Sequence, residues 1–104
     1  MQKALTSLPK TLWAYAYEIV PPQAEDHLQA IRLLLEREHT AAQRAARLWT
    51  GKLVCEPDVT HILVVSDSPD LDREVNRRLE RRLKELKAQV SLTVPMALAD
   101  EEAH

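Results

Sequence analysis

Residues 60–86 read THILVVSDSPDLDREVNRRLERRLKEL, and the fold class turns on how this stretch divides. Residues 61–66 are apolar on both faces, the pattern of a central strand in a parallel sheet covered on both sides. Ser66, Asp67, Ser68, Pro69 and Asp70 then make a polar corner. Ser68 suits a helix N-cap, Pro69 the first helical position, and Asp70 and Asp72 the first turn, where carboxylates complement the positive dipole end. Leu71, Val75, Leu79, Leu83 and Leu86 follow at helical spacing, so a helix is expected over 69–88. Ligands of open α/β sheets sit beyond the carboxyl ends of strands, so this corner is where chemistry is expected.

Working outward, residues 12–20 (LWAYAYEIV) alternate as a strand. Trp13, Tyr15, Tyr17 and Ile19 share one face, which needs a partner; Ala14, Ala16 and Glu18 share the other. Pro21-Pro22 ends it. Residues 23–38 read as a helix, with Leu28, Ile31, Leu34 and Leu35 as its buried stripe. The helical pattern runs on to Trp49. One helix over 24–49 would be about 39 Å long, against about 30 Å for the preceding strand. A break is therefore expected near His39-Thr40, where Thr40-Ala41-Ala42-Gln43 fits a capping box. That leaves a second helix over 40–50, stopped by a left-handed Gly51. Residues 52–60 read as a connector around Pro57-Asp58. Residues 90–94 form an edge strand ended by Pro95.

Strands at 12–20, 61–66 and 90–94 alternating with helices at 23–38, 40–50 and 69–88 give an α/β fold with a small three-stranded, mainly parallel sheet. Residues 1–11 are a flexible leader, 12–95 one domain, and 96–104 an acidic tail. Both crossovers would leave their helices on one face. The 40–50 segment or a second copy of the chain would cover the other, and a homodimer is expected.

Composition narrows the function. The 104 residues are 45% hydrophobic, enough for a core, and the net charge of −2 exerts no global pull on nucleic acid or anionic membrane. Cys55 is the single cysteine, so no internal disulfide can form. No leader h-region and no run of roughly 20 apolar residues is present. The expected location is the cytoplasm, with no membrane partner. Gly51 is the single glycine, which excludes a P-loop or a Rossmann-type glycine fingerprint.

Residues 62–94, an apolar strand ending in Ser66-Asp67, a long amphipathic helix and a short strand, resemble the first strand-helix-strand of bacterial response-regulator receiver domains. The resemblance implies Mg²⁺ held by paired acidic residues at the end of that strand. Here Ser66 takes one of those places. Nothing after residue 95 supplies the phosphoaccepting Asp or the later Lys, so the resemblance implies a receiver-like relative without phosphorelay chemistry.

Asp67 could still help hold Mg²⁺, which needs only one or two protein carboxylates. In a parallel sheet Glu18 approaches the same edge. The candidate ligand or metal corner is therefore Glu18, Ser66, Asp67, Ser68 and Asp70. The plain alternative makes Asp67 and Asp70 turn and cap residues.

The helix over 69–88 carries a candidate basic surface at Arg77, Arg78, Arg81 and Arg82. Interleaved acids form i,i+4 pairs: Glu74 with Arg78, Glu80 with Lys84, Arg81 with Glu85. That pattern favours a salt-bridged solvent face over nucleic-acid association. No histidine or cysteine has metal-ligand spacing. The leading expectation is a non-catalytic binding or regulatory module acting through self-association or contact with another protein. The alternatives are a Mg²⁺- or phosphate-dependent site at the 66–70 corner and nucleic-acid association through residues 73–87.

Overall fold

The structure, a computed structural model, describes residues 11–98. The elements are β1 (Trp13–Val20), α1 (Glu25–Arg44), β2 (Trp49–Cys55), β3 (Thr60–Ser66), a 3-10 turn at Pro69–Leu71, α2 (Arg73–Glu85), β4 (Gln89–Leu92) and β5 (Met96–Ala97). The sheet order is β2-β3-β1-β4, and β5 pairs with the start of β1. Every pairing is antiparallel. The fold is therefore α+β with a five-stranded antiparallel sheet and two helices. The three-stranded, mainly parallel α/β sheet expected from the sequence does not form.

The cause is β2, which occupies residues assigned to a helix end and a connector. Its alternation is in the sequence: Trp49, Gly51 and Leu53 face the helices, while Thr50, Lys52 and Val54 face away. A four-residue turn, closed by Glu56 N–H donating to Val59 O at 2.9 Å, joins β2 to β3. A turn that short permits only an antiparallel pair. β3 then inserts between β2 and β1, and β1 between β3 and β4. Each helix thus connects two strands that run the same way without touching. This is the split βαβ connectivity of ferredoxin-like folds.

The expected break at His39-Thr40 is absent, and the helices expected over 23–38 and 40–50 are one. α1 is 20 residues long, and Leu28, Ile31, Leu35, Glu38 and Ala42 continue a single buried stripe across that point. Ala41 and Ala42 are strong helix formers that need no new start. The helix stops in a Schellman motif, with Arg47 N–H donating to Ala42 O at 2.8 Å and Ala46 N–H to Gln43 O at 3.0 Å. The left-handed residue is Ala46, with φ 57°, not Gly51. Gly51 lies within β2 because a Cβ there would come within 2.8 Å of the Trp49 ring and 3.0 Å of Leu35.

α2 is shorter than the helix expected over 69–88. Ser68 makes no side-chain cap, and the 3-10 turn intervenes. Val75, Leu79 and Leu83 are buried as the stripe implied, but Leu71 falls before the helix and is 64% exposed. α2 also ends in a Schellman motif, at Lys87 with φ 61°. The edge strand expected over 90–94 is β4, with Thr93 continuing its work differently. Ala16 N–H donates to Thr93 Oγ1 at 2.8 Å, and Thr93 N–H to Ala16 O at 2.9 Å. A side-chain oxygen thus stands in for a ladder carbonyl. Met96–Ala97 pairs with Trp13–Ala14, while residues 1–10 of the expected leader and 99–104 of the expected tail lie outside the described residues.

The aromatic face of β1 needs no outside partner. Tyr15, Tyr17 and Ile19 join Trp49, Ile62 and Val64 under Ile31 and Leu35 of α1 and Val75, Leu79 and Leu83 of α2. Both helices lie on this side. Among the described residues, no helix covers the opposite face of the sheet.

Candidate functional site

The 66–70 corner is held from inside the protein. Asp67 N–H donates to Leu48 O at 3.1 Å, and Asp67 Oδ2 accepts from Leu48 N–H at 3.1 Å, so residue 67 extends the β2–β3 ladder by one reciprocal pair. Its Oδ1 lies 4.0 Å from Arg47 Nε. Ser66 is buried, and its Oγ accepts from Ser68 N–H at 3.0 Å. Ser68 O accepts from Arg47 Nη2 at 3.1 Å. Asp70 is exposed, on the rim of an open cavity of about 570 Å³ that Trp13, Asp67, Ser68 and Pro95 also line.

Glu18 is not part of this corner. In the antiparallel register Glu18 faces His61 at the amino end of β3, while Ser66 faces Trp13 at the other end. Five residues of strand separate the two levels, about 17 Å at 3.4 Å each. The convergence expected of Glu18 and Asp67 required a parallel sheet. Among the described residues no three of His, Cys, Asp and Glu gather in a way that could hold a metal ion.

The residue that organises the corner is Asp72. Its side chain is fully buried, ion-paired with Arg47 and accepting from the Tyr15 hydroxyl at 2.9 Å. The Tyr15 oxygen accepts from Trp49 Nε1 at 3.3 Å. Tyr17 donates to Asn76 Oδ1, one turn along from Asp72. Burial pushes both phenols well above the ordinary tyrosine range, so both remain donors; the Asp72 charge acts in the same direction on each. Sequence reasoning missed this network. Its one visible signal is Asn76, a polar residue beside the apolar stripe of α2, facing two tyrosines of β1.

Of the residues of the expected basic surface, Arg77, Arg81 and Arg82 are exposed on α2, and the ion pairs differ from the i,i+4 pairs expected. Arg77 pairs with Glu74 at 2.6 Å and Arg82 with Glu85 at 2.9 Å, both at i,i+3. Arg78 leaves that face and forms a bidentate pair with Glu38 of α1, two contacts of 2.7 Å. Those bonds raise the Arg78 pKa further above its ordinary value. They also tie the two helices together. Arg81 is exposed.

The uncovered sheet face is the remaining surface with functional character. Across the strands, one row is Thr50, Val65, Ala14 and Met96; the next is Lys52, Leu63 and Ala16, with Thr93 beside it; the third is Val54, His61, Glu18 and Ser91. Leu63 is 45% and Met96 69% exposed. The third row is polar: His61 lies between two carboxylates, with Nε2 3.6 Å from Glu18 and Nδ1 3.5 Å from Glu56. A shallow depression of about 330 Å³ runs over Ala16, Val54, Leu63 and this trio. Among the described residues, no helix is long and apolar enough to cross a membrane. Comparison with protein-family models, curated proteins and solved structures finds no match for this chain.

Proposed function

We propose that this chain is a small non-catalytic binding module, and that it acts through protein contacts made by the uncovered face of its sheet. The observation that carries this reading is the apolar patch of Ala14, Ala16, Leu63, Val65 and Met96 in two adjacent rows, with Thr50 and Lys52 on its β2 side and Glu18 and Glu56 in the next, polar row. A contiguous apolar surface with a polar border is the anatomy of a protein contact. The complementary partner is a protein presenting apolar side chains with a cationic group at the acidic end. The buried polar network under the helices serves the fold: Asp67 and Asp72 are engaged by Arg47 and by backbone.

The test is site-specific photocrosslinking in cells that make the protein. A crosslinker at position 63 should yield a discrete adduct, and the same probe at position 81 on the helix side should not. Glu18→Lys should abolish the adduct from position 63 while far-UV circular dichroism stays unchanged. Identical adducts from both positions, or indifference to Glu18→Lys, would remove the sheet face from consideration.

A further inference from the structure

The register of β2 on β3 determines which of its backbone groups point away from the sheet. The reciprocal pair at Leu48 and Asp67 and the bond closing Glu56 on Val59 bracket the strand. Hydrogen-bonded and non-bonded pairs alternate along an antiparallel ladder. Thr50, Lys52 and Val54 therefore bond inward to β3. Trp49, Gly51, Leu53 and Cys55 direct their N–H and C=O groups outward. The Trp49 carbonyl confirms the assignment, because it accepts from His39 Nδ1 at 2.8 Å. The outward groups of Gly51, Leu53 and Cys55 form an open edge.

Edge strands are normally blunted by proline, a bulge or several charges. β2 pairs regularly over all seven residues, contains no proline, and has Lys52 as its only charge. Beside it runs a groove of about 440 Å³ between α1 and β2, with Leu35, Gly51 and Leu53 as floor and Arg32 and Glu36 on the helix wall. There is room for another strand, and nothing in β2 refuses one.

We infer that the occupant is β2 of a second copy of this chain, paired antiparallel about a two-fold axis at Val54. Charge selects this register. A two-fold at Lys52 would oppose two lysines, which is unfavourable. A two-fold at Leu53 would place Lys52 against Val54. A two-fold at Val54 sets Val54 against Val54, Leu53 against Cys55, and Lys52 directly opposite Glu56, twice by symmetry. Opposite charges in direct cross-strand positions are favourable. Lys52 and Glu56 lie on the same uncovered face, and among the described residues Lys52 has no carboxylate within ion-pair distance. The Leu53–Cys55 pairs exchange four backbone hydrogen bonds.

The result is one sheet running from β4 through β2, across the axis, to the other β4. All four helices lie on one side, and the two uncovered faces merge into a single surface. The edge contact thereby enlarges the face proposed above as the protein contact, but it stands on the backbone register alone.

Sedimentation velocity on the full chain across the micromolar range tests it. The expected result is a dimer in the high-micromolar range. Lys52→Glu and Glu56→Lys should each return the monomer, and the double reversal should restore the dimer. Leu53→Pro, which removes an outward N–H and no β2–β3 bond, should stay folded and monomeric. The amides of Leu53 and Cys55 should become protected from hydrogen exchange only at dimer-forming concentrations. A monomer at all concentrations would overturn the inference, as would a dimer indifferent to both reversals. Leu63→Glu should leave the mass unchanged, which separates failure of the edge contact from failure of the face contact.

Discussion

Arg47, in the connection between α1 and β2, closes an ion pair on Asp72, whose side chain is fully buried at the start of α2. The contact joins segments 25 residues apart and passes directly over the 66–70 corner. It ties the 66–70 corner to the α1–β2 connection from inside the protein, with Ser68 O also accepting from Arg47 Nη2.

Removing Arg47 should be costly. Arg47→Met leaves Asp72 buried with only the Tyr15 hydroxyl, and breaking a buried pair on one side costs about 3–5 kcal/mol. Adding Asp72→Asn should recover most of that loss, since the remaining amide is neutral and keeps Tyr15 as a partner. Urea denaturation of the two variants checks this. A loss under about 1 kcal/mol for Arg47→Met would show that the pair contributes little.

Gly51→Ala should destabilise by about 1–3 kcal/mol, the usual cost of overpacking. The new Cβ would meet the Trp49 ring at 2.8 Å and Leu35 at 3.0 Å, and both are buried. Thermal unfolding gives the size of the effect, and a red shift in Trp49 fluorescence would report ring displacement.

Ala46 and Lys87 occupy left-handed backbone at the two Schellman stops. A side chain there costs about 1–2 kcal/mol relative to glycine. Ala46→Gly and Lys87→Gly should each stabilise, by somewhat less than that because glycine also loosens the unfolded chain. The two sites end different helices, so the gains should add. Denaturation midpoints of the single and double variants measure it.

Stability should fall in strongly alkaline solution. Tyr15 and Tyr17 have folded-state pKa values raised above the unfolded value of about 10, chiefly by burial. Below that pH both states keep the phenolic protons and the contribution is whole. Above it the unfolded chain releases protons that the folded chain retains, so stability declines as pH rises toward the folded values. Tyr15→Phe/Tyr17→Phe should flatten this limb of the pH–stability curve. An unchanged slope would assign the alkaline loss to other groups.

Much of the local structure was legible in the chain. The alternation of β1, the strand at β3, the stripe Val75–Leu79–Leu83 and the edge character of β4 are statements about periodicity, and periodicity survives folding; the apolar residues on both faces of β3 do not mean cover on both, since Leu63 is 45% exposed. β2 was not legible, because Gly51 and Lys52 carry the composition of a loop. Gly51 is required by the Trp49 ring and the Leu35 side chain, and both take their positions from packing.

The candidate corner divides along the same line. The residue types at 66–72 announce a helix start, and a turn followed by α2 is there. The direction of neighbouring strands decided everything else. With β3 antiparallel to β1, Glu18 moves to the far end of the sheet, and Arg47 comes to Asp67 and Asp72.

By itself, the sequence determined that β1, β3, α2 and β4 exist and which faces of β1 and α2 are apolar, since these follow from the backbone periods of helix and strand. Only the tertiary structure decided strand order, the burial of the aromatic face of β1, and which sheet face and edge stay open. The strand order turns on one short hairpin, because a four-residue turn forces β2 and β3 antiparallel and β3 then separates β2 from β1.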